Sequence, residues 1–254
     1  MSQQLLDFTD KVVLVTGGAT GIGRATCVAF ARQGARVVIG DVDDRSAETV
    51  RLIDEAGGTG LFVRTDVTVA SQVENLVTTT VDTYGGLHIA FNNAGVLPPT
   101  GPLLEQSEAD WDKTIDVDLK GVFLALKYEI AHMVSNGGGS IINTASVAGV
   151  IADPGMAPYV AAKHGVVGLT RAAAIDYAKD GIRVNALAPG LVETNMTKDW
   201  LDSPEMRDTV IAGSQLGRPA QPDEMVGMVL YLASPLASFA TGGVYLVDGG
   251  QTAH

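Results

Sequence analysis

Tyr159 and Lys163 stand four residues apart in the segment YVAAK, 159–163. On a helix that spacing puts both side chains on one face. A free phenol titrates near pH ~10, too high for a good base at neutral pH. An ammonium about 4 Å away, at an effective dielectric near ~20, is worth roughly 4 kcal/mol, or about three pKa units. Such a pair could give and take a proton near neutrality. Ser146 lies 13 residues before the tyrosine. YxxxK alone occurs by chance in many chains, so the elements around it have to support the reading.

A second group is rich in glycine. TGGATGIG (16–23) follows a β-branched run and opens a helical pattern. Glycines let the backbone turn tightly, and a helix N-terminus favours anions through its N–H groups and dipole. The spacing reads TGxxxGxG, with Gly17, Thr20, Gly21, Ile22 and Gly23 as the expected pyrophosphate cradle. Asp41 closes the next strand, 18 residues beyond Gly23. A carboxylate there can bind both ribose hydroxyls of the adenosine and repels a 2′-phosphate. Val42 follows where a basic residue could have favoured that phosphate. These residues favour NAD over NADP; Arg24 and Arg45 are the two side chains that could reach a 2′-phosphate instead. Asp66 either accepts from the adenine amino group or caps the next helix, and the sequence leaves both open.

These groups need elements to hold them. Strand patterns are expected at 11–16, 36–40, 60–64, 87–92, 140–144, 182–188 and 244–247. Helical patterns fall at 21–33, 44–55, 70–84, 108–134, 157–178 and 223–233, with 197–211 irregular or short helix. The alternation predicts an α/β fold: a three-layer, doubly wound, mostly parallel sheet of Rossmann type with helices on both faces. No linker or repeat divides the chain, so residues 1–254 are expected to form a single dinucleotide-binding and catalytic domain. Ligands of such sheets sit beyond the carboxyl ends of the strands.

Composition narrows the function. The 254 residues are 46% hydrophobic and 18% charged, enough for a large core. A net charge of -12 argues against nucleic acid and against docking on an anionic membrane. Cys27 is the single cysteine, so no intrachain disulfide is expected. The N-terminal segment has no basic region or cleavage signal, and every apolar stretch is broken by charge, which points to a reduced cytoplasmic setting. His88, His132, His164 and His254 are scattered, so no metal is expected.

Taken together, TGGATGIG, Asp66-Val67, NNAG (92–95), Ser146, YVAAK, Asn185 with Pro189-Gly190, and Asp248-Gly249-Gly250 resemble the short-chain dehydrogenase/reductase family along nearly the whole chain. The resemblance implies hydride transfer between NAD(H) and a secondary alcohol or ketone, with Tyr159 as general acid/base. It implies that Lys163 lowers the phenol and holds the nicotinamide ribose, and that Ser146 orients the substrate oxygen. It also implies that Asn92, Ala94 and Gly95 support the adenosine side and the sheet's end, that Asn93 and Val67 contact the cofactor, and that Pro189, Gly190, Val192 and Thr194 contact the nicotinamide. One residue departs from the pattern: where the family usually has Asn tied to the lysine through a water, this chain has Asp118. Asp118 can accept but not donate, and its charge would favour a protonated Lys163 and alter the pH profile.

Val96, Leu97, Val147, Met156, Leu191, Met196, Trp200 and Met206 are expected either to wall an apolar substrate pocket or to lie in the core. Residues 191–215 are the expected substrate loop. The segment 157–178 is apolar on more than one face, which suggests a homodimer or homotetramer interface. Two alternatives stand. A 3-oxoacyl-[acyl-carrier-protein] reductase would want NADP and a basic docking patch, and 129–143 has no Lys or Arg. The other is an NAD-binding protein without turnover, for which Asp118 would be the sign.

Overall fold

The computed structural model describes residues 6–253; His254 lies outside them. In chain order the elements are β1 (Val12–Thr16), α1 (Gly21–Arg32), β2 (Arg36–Asp41), α2 (Ser46–Glu55), β3 (Thr59–Arg64), α3 (Ala70–Tyr84), β4 (Ile89–Asn92) and α4 (Glu108–Ile115). They continue with α5 (Gly121–Ser135), β5 (Gly139–Thr144), α6 (Ala157–Tyr177), β6 (Ile182–Pro189), α7 (Lys198–Asp202), α8 (Pro204–Ala212), α9 (Asp223–Ala233) and β7 (Val244–Val247). All seven strands are parallel, in the order β3-β2-β1-β4-β5-β6-β7.

Strand alternation divides the core between the two faces of the sheet. On one face Val13, Val15, Val37 and Ile39 pack with Phe30 of α1, Ile53 of α2 and Met225 of α9. On the other, Leu14, Val38 and Ile141 pack with Leu76 of α3, Met133 of α5 and Val166 of α6. This is the doubly wound, three-layer Rossmann arrangement. The strand order reverses between β1 and β4, which opens a crevice at their carboxyl ends.

The helix expected over 108–134 is not uniform. Residues Asp116–Lys120, between α4 and α5, form one wide π turn carrying Asp118, whose carboxylate is fully buried. Such turns insert a residue into the helix and re-aim side chains, often at functional sites. The segment around 197–211 holds the two short helices α7 and α8, the second started by the Ser203 side chain accepting from Met206 N.

Candidate active site

One cleft of about 1030 Å³ runs across the carboxyl ends of the strands. Gly17, Thr20, Gly21 and Ile22 line it at the start of α1. The Thr20 side chain caps nothing, so the first N–H groups of this twelve-residue helix stay free for an anion. Two of the glycines here leave no room for a side chain. Gly17 has φ +69°, and a Cβ on it would lie 2.7 Å from Ala94 Cα. Gly23 does not line the cleft; a Cβ there would meet Gly17 O at 2.0 Å, so its part in the cradle is to let helix and turn close on each other. Asn93 ties the turn to β4: its amide donates to Gly17 O (3.1 Å), and Thr16 Oγ1 accepts from Asn93 N (3.0 Å) and Ala94 N (3.2 Å).

Asp41 lies at the far end of the cleft, accepting from Ala19 N (2.9 Å) and Asp43 N (3.0 Å). The two arginines that could have welcomed a 2′-phosphate are engaged: Arg24 pairs with Glu48 at 2.9 Å and Arg45 with Asp43 at 2.5 Å. Asp66 and Val67 line the cleft, and Asp66 also accepts from Thr68 N and Thr68 Oγ1, so it braces the turn before α3. Asn92 supports the end of the sheet, where it pairs with Asn143 of β5, but as a correction not the adenosine side. It is buried and faces away from the cleft, donating to Glu129 Oε2 and Asn143 Oδ1 at 3.0 Å each. These cradle residues fit a nicotinamide dinucleotide, with Asp41 for the adenosine ribose.

The end of β5 and the first turns of α6 bring the reacting groups together. Ser146 Oγ accepts from Ala148 N (3.1 Å) and lies at the cleft wall with the Tyr159 phenol. Lys163 is buried, donates from Nζ to Thr144 O (3.0 Å), and sits 5.3 Å from the centroid of the Tyr159 ring. The expected fall of the phenol pKa is not what the protein alone produces. Burial raises the Tyr159 phenol above its ordinary value; Lys163 and Ser146 pull it down, and Asp118 and Asp153 push it up. Lysine acts in the expected direction, but desolvation outweighs it.

Asp118 lies one layer behind the cleft, not in it. Its Oδ1 accepts from Val96 N (2.7 Å), and its Oδ2 has no hydrogen-bond partner. Burial pushes its carboxyl up to about 6, against the pull of Lys163 and the Val96 N–H. It does not ion-pair with Lys163.

Pro189, Gly190, Val192 and Thr194 line the cleft after β6, as does Gly95 after β4. The eight apolar residues expected at the substrate wall all line the same cleft, with 191–215 supplying half of them. Sequence reasoning missed Asp153 and Gln251. Both line the cleft, and Gln251 Nε2 donates to Asp153 Oδ1 at 3.4 Å. Neither belongs to a local pattern; a partner 98 residues away carries no periodic signal.

Fold and site together define a dinucleotide-dependent oxidoreductase. Residues 17–252 match a short-chain dehydrogenase family model described as "Enoyl-(Acyl carrier protein) reductase". The chain is 42% identical to cis-4-hydroxycyclohexanecarboxylate dehydrogenase of Sinomonas cyclohexanicum, over 97% of this chain and 98% of the relative. It is also 42% identical to 2,5-dichloro-2,5-cyclohexadiene-1,4-diol dehydrogenase of Sphingobium indicum, over 97% and 99%. Among solved structures, levodione reductase superposes with a TM-score of 0.94 at 37% identity, covering 97% of this chain and 99% of that one. An Agrobacterium tumefaciens structure with bound NADP superposes at 0.92 and 31% identity, covering 99% and 100%. The chain belongs to the short-chain dehydrogenase/reductase family. It is an enzyme that moves hydride between a nicotinamide cofactor and an alcohol or carbonyl carbon.

Proposed function

We propose that this enzyme is an NAD-dependent dehydrogenase of apolar secondary alcohols, cyclic ones above all, running equally as a ketone reductase. The observation that carries the reading is the meeting of Ser146, Tyr159 and Lys163 at one end of an apolar-walled cleft whose other end carries Asp41. Bound NAD⁺ supplies the hydride acceptor and a positive ring beside the phenol. Ser146 holds the substrate oxygen, and Tyr159 Oη takes the hydroxyl proton in oxidation and returns it in reduction. Lys163, fixed by the Thr144 carbonyl, favours the phenolate and reaches the nicotinamide ribose. Asp118 sets how much of the lysine's charge the phenol feels.

The engagement of Arg24 and Arg45 by carboxylates supports NAD over NADP. Asp43, Asp66, Asp116 and Asp153 line the cleft besides Asp41, against Lys113 and Lys163, which supports a small neutral alcohol over an acidic carrier protein. Residues 1–254 act as one catalytic unit, with 191–215 closing over substrate. Along α6, exposed Ala161, Gly168, Ala172 and Ile175 leave a flat apolar strip, which supports a homodimer or homotetramer. No helix among the described residues is long and apolar enough to cross a membrane, and we place the enzyme in the cytoplasm. The test follows reduced-nicotinamide absorbance with NAD⁺ and a panel of cyclic and open-chain secondary alcohols. Turnover that falls by about 10³-fold or more in Tyr159→Phe, with NAD⁺ binding kept, supports the assignment; an undiminished rate in Tyr159→Phe overturns it.

A further inference from the structure

Among the mostly apolar residues of the substrate wall, one carboxylate stands out. Asp153, in the loop between Ser146 and Tyr159, is half-buried and faces the cleft. The other cleft carboxylates are engaged. Asp41 takes two backbone N–H groups, Asp66 takes Thr68, Asp43 pairs with Arg45 and Asp116 with Lys120. Asp153 forms no ion pair and accepts one long bond, from the Gln251 amide. A carboxylate has about four acceptor positions, so most of its capacity is unspent.

The loop that carries it is braced. Gly101 N donates to Gly155 O (3.0 Å), and the Gln106 amide donates to the same carbonyl (3.2 Å) and to Gly101 O (2.8 Å). Gly155 has φ +76°, and a Cβ there would press on Thr100 at 2.8 Å. Asp153 is therefore presented by fixed backbone. It also lies near enough to the reacting phenol for its charge to oppose the phenolate, and burial raises its own carboxyl.

Resting on the alcohol-dehydrogenase reading above, we infer that Asp153, braced by Gln251, is the subsite that selects substrates with a second hydrogen-bond donor, such as a ring diol or hydroxyketone. The same subsite turns away rings that carry a carboxylate. A second hydroxyl satisfies the unspent acceptor and is held by a charge-assisted bond. A site built to accept from a substrate hydroxyl discriminates against the analogue without it, because its own polar group is then left unmatched. An anionic substituent at the same place meets like charge in a partly dry cleft.

The test measures kcat and KM of the enzyme with NAD⁺ for cyclohexane-1,4-diol, cyclohexanol and cis-4-hydroxycyclohexanecarboxylate, in the parent, Asp153→Asn and Asp153→Ala. The readout is the ratio between substrates within each protein, so a general change in activity cancels. In the parent, kcat/KM for the diol is expected to exceed that for cyclohexanol by about tenfold, and the carboxylate to fall below cyclohexanol by about as much. Asp153→Ala brings the diol ratio toward one, mostly through KM, and Asp153→Asn raises the carboxylate ratio. Parent ratios near one, or ratios that survive both substitutions, overturn the inference while leaving the reaction class standing. No turnover of any of the three overturns both. Should the alanine variant not fold, the parent ratios and the asparagine variant still decide.

Discussion

Replacing Asp118 by Asn removes one buried charge beside the proton-transfer pair and leaves the shape of the side chain. A Cβ built on Gly95 would lie 3.0 Å from Asp118 Oδ1 and 3.7 Å from Lys163 Nζ, so the two charges are within about 7 Å of each other. At about 6 Å and an effective dielectric near ~20 their interaction is about 3 kcal/mol, or about two pKa units. Part of this reaches the phenol, because Asp118 opposes the phenolate that Lys163 favours. Removing the carboxylate lowers the phenol's pKa, and alcohol oxidation needs the phenolate. The rising limb of kcat against pH is therefore expected to move down by about one pH unit in Asp118→Asn. The difference has a lower bound set by Asp118 itself. With its carboxyl pushed up to about 6, the parent takes up the proton below that pH, loses the charge, and the two curves converge. The assay is reduced-nicotinamide formation with saturating alcohol and NAD⁺ from pH 5 to 10. Superimposable profiles over that range would refute the placement of Asp118 as a positioning group.

Three further outcomes are expected. Glu129 is wholly buried, Oε1 lacks a partner, and burial raises its carboxyl to about 7. Folding stability from this group is full below its unfolded pKa of about 4.5 and is lost as pH rises to about 7, so Glu129→Gln should stabilise the protein by up to about 3 kcal/mol above pH 7 and not at pH 4; denaturant titrations at both pH values check it. Asp41→Ser should raise the affinity for NADP⁺ relative to NAD⁺ by about tenfold or more, read as dissociation constants by calorimetry; an unchanged ratio would count against Asp41 as the ribose carboxylate. Gly17→Ala forces a Cβ onto a left-handed turn 2.7 Å from Ala94 Cα, and should cost about 1–2 kcal/mol in stability and most of the NAD⁺ affinity; thermal melts with and without NAD⁺ separate the two losses.

Much of this enzyme is written along its chain because the groups that matter are local. The glycine turn, Asp41, Ser146 and the Tyr159–Lys163 pair each sit at the end of one strand or on one helix, and a parallel sheet gathers all strand ends on one side. Strand and helix periodicity therefore determined where they would meet, and even the apolar substrate wall could be named before its geometry was known. The tertiary structure decided what depends on burial and on segments far apart in sequence. Asp118 lies behind Gly95 because a π turn rotates it inward, a feature that helical periodicity does not distinguish from a regular turn. Asn92 found its partner Glu129 in the dry interior, at the end of the sheet and not on the adenosine side. The Tyr159 phenol is raised, not lowered, because the cost of desolvation depends on how completely the fold encloses the ring. Asp153 gained its partner Gln251 only when the end of the chain folded back across the cleft. Charge type is local and readable; the dielectric around the charge belongs to the folded whole.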